Sequence, residues 1–170
     1  MVHPYHAQMH VLIATTGVLS PEPVVEFTRH LLGTTGRVTL STVIEVPHDF
    51  IESLETGEWH PLHGDSPSTR EQLVERYVEE RARRLTEPVL LALQSASISC
   101  EIHYLEGSDP AAAISEAARQ LDVDVVILGA TRQIFDRDAW ESVSARVMIE
   151  SGKPVLVVPR PHKGDEDGDG

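Results

Sequence analysis

Five short apolar segments divide the chain, and turn-forming residues bound each of them. They cover residues 9–14, 38–46, 99–105, 123–128 and 154–158. The last two are rich in β-branched residues and scarcely alternate between apolar and polar positions. Strands that are covered on both faces, as in a parallel sheet, have this pattern. The segments therefore predict five strands of a parallel sheet.

Helical patterns separate these strands. The first helix is predicted over residues 24–32 and the fourth over residues 142–150. The third is predicted from Asp109-Pro110 to about Leu121. An Asp is a favoured helix cap, and a proline is favoured at the first helical position after it.

The second helix is predicted to be the longest. Ser68 and Glu71 have the spacing of a capping box, in which each side chain bonds a backbone N–H at the helix start. Pro88 lies inside the pattern and is predicted to kink or split the helix. Apolar residues recur every three or four positions on one face. They are Val74, Val78, Ala82, Leu85, Val89, Ala92 and Ala96.

The alternation of strands and helices predicts an α/β fold. With right-handed crossovers it becomes a single doubly wound sheet of five parallel strands, with helices on both faces. We assign residues 1–160 to this domain. Residues 47–67 are predicted to be a long inserted connector, with a short helix over 49–56, and residues 161–170 an acidic, disordered tail.

Charge and composition narrow the range of functions. The 170 residues include 14 Lys and Arg against 27 Asp and Glu, so the net charge is −13. Such a field repels a phosphate polymer, and no nucleic-acid partner is expected. Cys100 is the single cysteine, and no secretion signal or membrane-length apolar stretch is visible. We therefore expect a cytoplasmic protein without a membrane partner.

The expected ligand site lies in the loops that follow the strands. In a doubly wound sheet, ligands bind beyond the carboxyl ends of the strands, where the winding direction reverses. Residues 15–21 and 129–141 follow the first and fourth predicted strands. Helix N-termini bind anions where no side chain blocks the approach, so such loops carry glycines. Gly129 is placed for this role.

Three stretches of the chain resemble the universal stress protein family. The run His10-Val-Leu-Ile-Ala-Thr-Thr-Gly is similar to the family's first strand and loop, and Val125-Val-Ile-Leu-Gly-Ala-Thr-Arg is similar to its fourth. The run from Ser142 to Pro159 is close to its closing helix and strand. The resemblance covers most of residues 9–159 and implies a Rossmann-like fold of the adenine nucleotide α-hydrolase type. It also implies a homodimer that pairs the last strands, here from Pro154 to Val158.

The resemblance also implies a nucleotide site, from which this sequence departs. Many members bind ATP through Gly-x-x-Gly, nine further residues and Gly-Ser or Gly-Thr, with an Asp ending the first strand. Gly129 matches the first glycine, but Arg132 and Glu141 occupy the other glycine positions and Thr16 replaces the Asp. The spacing is also one residue shorter. The positions that correspond to the family's nucleotide site are Thr15, Thr16, Val43, Gly129, Arg132, Ser142, Val143 and Ser144.

These departures change the chemistry expected of the site. Glu141 brings a negative charge to the place of a triphosphate, at a cost of about 1–4 kcal/mol, and Thr16 removes the expected ribose acceptor. The sequence therefore predicts a non-catalytic, dimeric stress-response module with a binding or regulatory role, no cofactor and no ATP binding of the usual kind. The alternative is weak binding of ATP with Mg²⁺ or of an adenylate, with slow hydrolysis, through Arg132 and Ser142. A protein partner is a further open expectation.

A metal-dependent hydrolase is a more distant alternative. His60, His63 and Asp65 form the donor set of a Zn²⁺ site with water in the fourth place. The loop around them contains Pro61 and Gly64, and no helix fixes the spacing of the three ligands. We therefore predict no metal site.

Overall fold

The computed structural model describes residues 8–17, 19–56, 69–130 and 142–159. Strands and helices alternate through these residues, with two helices in succession after the second strand. In chain order they are β1 (His10–Ala14), α1 (Pro21–Leu32), β2 (Arg37–Ile44), α2 (His48–Thr56), α3 (Arg70–Ser95), β3 (Cys100–Glu106), α4 (Pro110–Gln120), β4 (Val125–Gly129), α5 (Val143–Glu150) and β5 (Val155–Val158).

The five strands form one parallel sheet in the order β3-β2-β1-β4-β5. Val11 of the central strand is aligned with Val38 of β2 on one side and with Val125 of β4 on the other. All five residues of β1 are buried, as the uninterrupted apolar pattern predicts. The predicted doubly wound, five-stranded parallel fold is confirmed.

Helices cover both faces of the sheet. Val24 of α1 and Val89 and Leu93 of α3 pack on one face, against buried residues of β1 and β2. Ile114 of α4 and Val147 of α5 pack on the other face. The chain runs outward from β1 through β2 to β3, then crosses to β4 on the opposite side of β1. The winding direction therefore reverses between β1 and β4.

A smaller apolar cluster joins α2 to α3. The rings of Phe50 and Tyr77 stack with their centroids 4.6 Å apart, and Ile44, Val78 and Ala82 are buried beside them. The helix α2 agrees with the short helix predicted over residues 49–56. The rest of the predicted connector, residues 57–67, and the predicted tail lie outside the described residues.

Two predicted helix starts are wrong by a few residues. The helix α1 begins at Pro21 rather than at residue 24, because a proline is well tolerated in the first turn. The capping box of α3 consists of Thr69 and Gln72, not Ser68 and Glu71. Overlapping boxes one residue apart contain equivalent residue types, so residue types alone do not distinguish them.

The interior of α3 also differs from its prediction. The helix runs unbroken through Pro88, so it is not split. Pro88 and Arg84 are both exposed, and the Arg84 carbonyl that loses its helical donor is therefore within reach of water. The buried residues are Val78, Ala82, Thr86, Val89 and Leu93. Near the end of the helix, the buried face therefore includes Leu93 rather than the predicted Ala92. None of the described helices is long and apolar enough to cross a membrane.

A buried histidine, His10, contacts two other segments of the chain at the amino-terminal edge of the sheet. The side chain of His10 is 3% exposed, and its Nδ1 lies 3.2 Å from the carbonyl oxygen of Leu121. A carbonyl only accepts, so Nδ1 carries the proton and Nε2 accepts from the Thr39 hydroxyl at 2.8 Å. Burial, together with the nearby Arg37 charge, lowers the pKa of His10 below its usual 6.5. The folded protein therefore holds this ring neutral.

The His10 ring predicts a loss of stability in mild acid. Below pH 6.5 the unfolded chain binds a proton that the folded chain does not, so the free energy of unfolding falls as the pH drops toward the lower folded pKa. Above pH 6.5 this contribution is fully present. His10→Asn keeps a donor for Leu121 and removes the titrating ring, so we expect a shallower decline between pH 6.5 and 5. Equal slopes of melting temperature against pH in both proteins would contradict this assignment.

Candidate functional site

A narrow cleft lies at the carboxyl ends of β1 and β4, where the winding direction reverses. We call it the switch-point cleft, and its described walls enclose a cavity of about 50 Å³. Three strands, the loop after β1 and the first turns of two helices contribute to it. The lining residues are Ala14, Thr15, Thr16, Leu19, Val43, Pro110, Ile114, Leu128, Gly129, Ala130, Val143 and Ser144.

The loop after β1 forms one rim of the cleft. The N–H of Thr15 donates to the Ser41 carbonyl at 2.9 Å and continues the sheet by one residue. The Thr15 hydroxyl accepts from the N–H of Gly17 at 3.0 Å and closes a tight turn. Gly17 has φ of +87°, and a Cβ there would lie 2.8 Å from Leu85 Cδ2. The turn therefore requires glycine and leaves the exposed Thr16 side chain at the rim.

The N-terminus of α5 forms the opposite rim. The Ser142 hydroxyl caps this helix and accepts from the N–H of Ala145 at 3.3 Å. It also lies 3.3 Å from the hydroxyl of Ser144, which is largely buried and lines the cleft. A helix N-terminus carries partial positive charge, so this rim favours an electronegative group of a ligand.

The strand β4 supplies the floor, and glycine matters at its end. A Cβ on Gly129 would lie 3.3 Å from Leu19 Cδ1, so any side chain there presses on the opposite wall. Leu128, Leu19 and Val43 add apolar surface. None of the described lining residues carries a charge, so these walls offer a ligand hydroxyls, backbone groups and apolar contact.

An ion pair lies at the helical side of the cleft. Asp109 caps α4 by accepting from the N–H of Ala112 at 3.1 Å. Its two carboxylate oxygens also accept from Nη1 and Nη2 of Arg146 at 2.8 and 2.9 Å. The bond from Arg146, followed by the helical N–H, lowers the pKa of Asp109 below its usual value. The carboxylate is thus ionised and paired at neutral pH.

The structure brings together six of the eight positions predicted for the site. Thr15, Thr16, Val43, Gly129, Val143 and Ser144 all line the cleft. Ser142 stands directly behind Ser144 as the helix cap. Arg132 lies outside the described residues, as do Glu141 and the predicted metal ligands His60, His63 and Asp65.

Sequence reasoning missed the apolar walls of the cleft. Leu19, Pro110, Ile114 and Leu128 are of the residue types that fill any core, so their type carries no signal of a site. One signal was available for Pro110. It follows a predicted helix cap after the third strand, and helices that follow parallel strands begin at the ligand-binding edge.

Two other kinds of chemistry find no support among the described residues. No group of three or more His, Cys, Asp or Glu in these ranges is placed to hold a metal ion. Cys100 is half-buried at the start of β3, and burial raises the pKa of its thiol. A thiol of raised pKa stays protonated and is a poor nucleophile.

Solved structures share this fold. The hypothetical protein MJ0577 superposes with a TM-score of 0.61 at 21% identity, over 91% of this chain and 98% of that chain. A universal stress protein in complex with cAMP gives 0.59 at 15% identity, over 88% and 96%. A universal stress protein family protein from Arabidopsis thaliana with AMP bound gives 0.55 at 14% identity, over 91% and 93%. At these identities the likeness establishes the fold alone.

The comparison of sequences assigns the family. No curated protein matches this chain. The family model for the universal stress proteins, by contrast, matches residues 9–159. This span includes every described strand and helix, from β1 to β5, and all walls of the switch-point cleft. The chain belongs to the universal stress protein family.

Proposed function

We propose that this protein is a non-catalytic, dimeric binding module whose ligand is an adenosine monophosphate, such as AMP or cAMP, held in the switch-point cleft. The observation that carries the proposal is the convergence of six predicted nucleotide-site residues on one cleft at the reversal of winding. Solved relatives of the same fold contain cAMP and AMP. The class of ligand follows from the chemistry of the walls.

The cleft favours the nucleoside part of such a ligand. Its interior is apolar between Val43, Ile114 and Leu128 and offers contact to the face of a base, and at about 50 Å³ it takes up only part of a nucleotide. Hydroxyls of Thr16 and Ser144 stand at its two rims. The N-terminus of α5 adds a preference for one electronegative group. These features support recognition of a nucleoside that carries one phosphate.

The departures from the family's ATP motif argue against a triphosphate. Thr16 stands where the family has the Asp that accepts from ribose, and a neutral hydroxyl bonds ribose more weakly than a carboxylate does. Arg132 and Glu141 replace two glycines in the loop that would receive the phosphates. We therefore propose that ATP binds more weakly than AMP.

The described cleft favours binding over catalysis. The Thr15 and Ser142 hydroxyls already accept backbone N–H bonds. The described lining residues include no acid, imidazole, thiol or amine to move a proton. A role in binding or regulation fits these groups better than hydrolysis does.

The free edge at β5 supports a homodimer. This strand ends the described sheet, and Val157 on it is 37% exposed. Next to it, α5 exposes Met148 to 53% and Ile149 to 68%. An edge strand beside exposed apolar side chains is a site for pairing with another strand. The resemblance to the family supports a second copy of the chain as that partner.

Binding of AMP is the first prediction. The nucleotide-stripped protein should melt at a higher temperature with AMP or cAMP than without. A ligand at about 100 times its dissociation constant adds about 2.7 kcal/mol, which is roughly 5–10 °C for a domain of this size. ATP at the same concentration should give a smaller rise. No rise with any of the three nucleotides would refute the proposed function.

A substitution that fills the cleft localises the binding. In Ser144→Leu the larger side chain occupies the space between the rims, so we expect the rise with AMP to disappear. Ser95→Leu adds the same side chain at an exposed position of α3 and should keep the full rise. An unchanged AMP response in Ser144→Leu would place the ligand elsewhere.

Replacing Thr16 by the family's residue should strengthen binding. Thr16→Asp supplies a charged acceptor for the ribose hydroxyls, and a hydrogen bond to a charged group contributes about 1.5–3 kcal/mol. We expect the dissociation constant for AMP, measured by calorimetry, to fall about tenfold or more. Thr16→Asn, which has the same shape without the charge, should gain less. Weaker binding in Thr16→Asp than in the parent would show that Thr16 does not face the ribose.

The dimer is tested at a single backbone N–H. Val126 and Ala130 donate to the carbonyls of Pro154 and Val158, so the alternate residue Val157 directs its N–H toward the free edge. Val157→Pro removes this donor without disturbing the pairing with β4. We expect sedimentation at tens of micromolar to show a dimer for the parent and for Val157→Thr, and a monomer for Val157→Pro. A monomeric parent would refute pairing through β5.

A further inference from the structure

The helices α4 and α5 form one side of the switch-point cleft, and both begin at it. Pro110 and Ile114 come from the first turns of α4, and Val143 and Ser144 come from the first turn of α5. The distance between these helix starts therefore sets the width of the cleft on that side. Apolar packing through Ala111 and Val147 holds the helices on the sheet but does not by itself determine their relative position along it.

A single carboxylate connects the two helix starts. Asp109 caps α4 through the N–H of Ala112 and accepts two bonds from the Arg146 guanidinium on α5. The Nε of Arg146 donates to Glu150, one turn further along α5, at 2.8 Å. A bidentate pair of planar groups fixes both distance and orientation, unlike a single contact between point charges.

We propose that Asp109 and Arg146 act as positioning residues, which together hold the starts of α4 and α5 at the separation that the ligand requires. We call this pair the clasp. Neither residue lines the cleft, so the clasp acts through Pro110 and Ser144. The effect on the ligand rests on the proposed function, whereas the effect on the helices does not.

The same two helices are linked again away from the cleft, which provides a matched control. Arg119, in the last turn of α4, donates through Nη1 to the Glu150 carbonyl at 2.8 Å and through Nη2 to Glu116 at 2.6 Å. This link also joins an arginine on the surface to the neighbouring helix. It lies at the carboxyl end of α4 rather than at the helix starts.

Ligand binding gives the first test. Asp109→Asn keeps a capping oxygen, since Asn caps a helix as well as Asp does, but it loses the charged pair. Arg146→Gln removes the other partner. In each variant we expect the dissociation constant for AMP to rise about tenfold, because displaced walls fit the ligand poorly. In Arg119→Gln it should change less than about twofold. Equal effects of Arg146→Gln and Arg119→Gln would overturn the proposal.

Amide hydrogen exchange gives a second test that needs no ligand. For each variant, exchange is measured on the helix that does not carry the substitution. In Arg146→Gln it is measured at the Ala112 amide of α4, and in Asp109→Asn at the Ala145 amide of α5. We expect faster exchange at both amides, and no change at either in Arg119→Gln, because loss of the clasp frees the facing helix start. Unchanged exchange in both clasp variants would overturn the proposal.

The two measurements separate the clasp from the proposed function. A parent protein that binds no AMP, cAMP or ATP refutes the proposed ligand, and hydrogen exchange then decides the clasp alone. A parent that binds AMP, with binding and exchange unaltered by Arg146→Gln, keeps the proposed function and removes the clasp. A double variant of Asp109→Asn and Arg146→Gln should be no worse than either single variant, since both remove the same interaction.

Discussion

Burial of β1 on both faces is the constraint on which the rest of this structure depends. All five of its residues are buried, so helices must cover each side of the sheet. The chain meets this requirement by winding outward through β2 and β3 on one side of β1 and through β4 and β5 on the other. The helices that follow β1 and β4, which are α1 and α5, cover opposite faces of the sheet, so a cleft remains between these two strand ends.

Most of the polar groups around this cleft stabilise the ends of strands and helices. Thr15 closes the turn after β1, and Ser142 caps α5. Asp109 caps α4 and pairs with Arg146. Each group satisfies a backbone N–H that would otherwise be unpaired where a strand or helix ends. The exposed Thr16 and the hydroxyl of Ser144 at the rims remain for contact with the proposed ligand. The described lining residues carry no charge.

The structural roles of these groups support our proposal that the ligand is a nucleoside monophosphate rather than a longer phosphate chain. The apolar interior and the two rim hydroxyls match a base and a sugar, and one helix N-terminus favours a single phosphate. Additional phosphates require additional cations or amides. The overall charge of −13 makes an unassisted polyphosphate still less favourable. Arg146, a cation on α5, is already paired with two carboxylates.

Residue patterns predicted β1 and β4 well, because burial on both faces demands apolar segments that few other structures use. They also located β3, although none of its residues is buried. They also predicted the cap at Asp109, whose residue type is strongly selected at helix starts. Exact boundaries were less accurate. Thr69 caps α3 in place of its neighbour, and Thr86 and Leu93 enter the core where the pattern favoured Leu85 and Ala92. These choices depend on packing against the sheet, which periodicity does not describe.

The candidate site divides in the same way. Residue types and their order along the chain were enough to predict a doubly wound sheet, the edge at which we propose that a ligand binds, and the positions of Thr16, Gly129 and Ser144 at that edge. Folding alone brought Leu19 and Ile114 to the cleft walls and placed Arg146 against Asp109, 37 residues away along the chain. The physical reason is that the hydrophobic pattern of a segment indicates only which of its own faces is buried. Contacts between distant segments depend on how the helices pack against each other on the sheet.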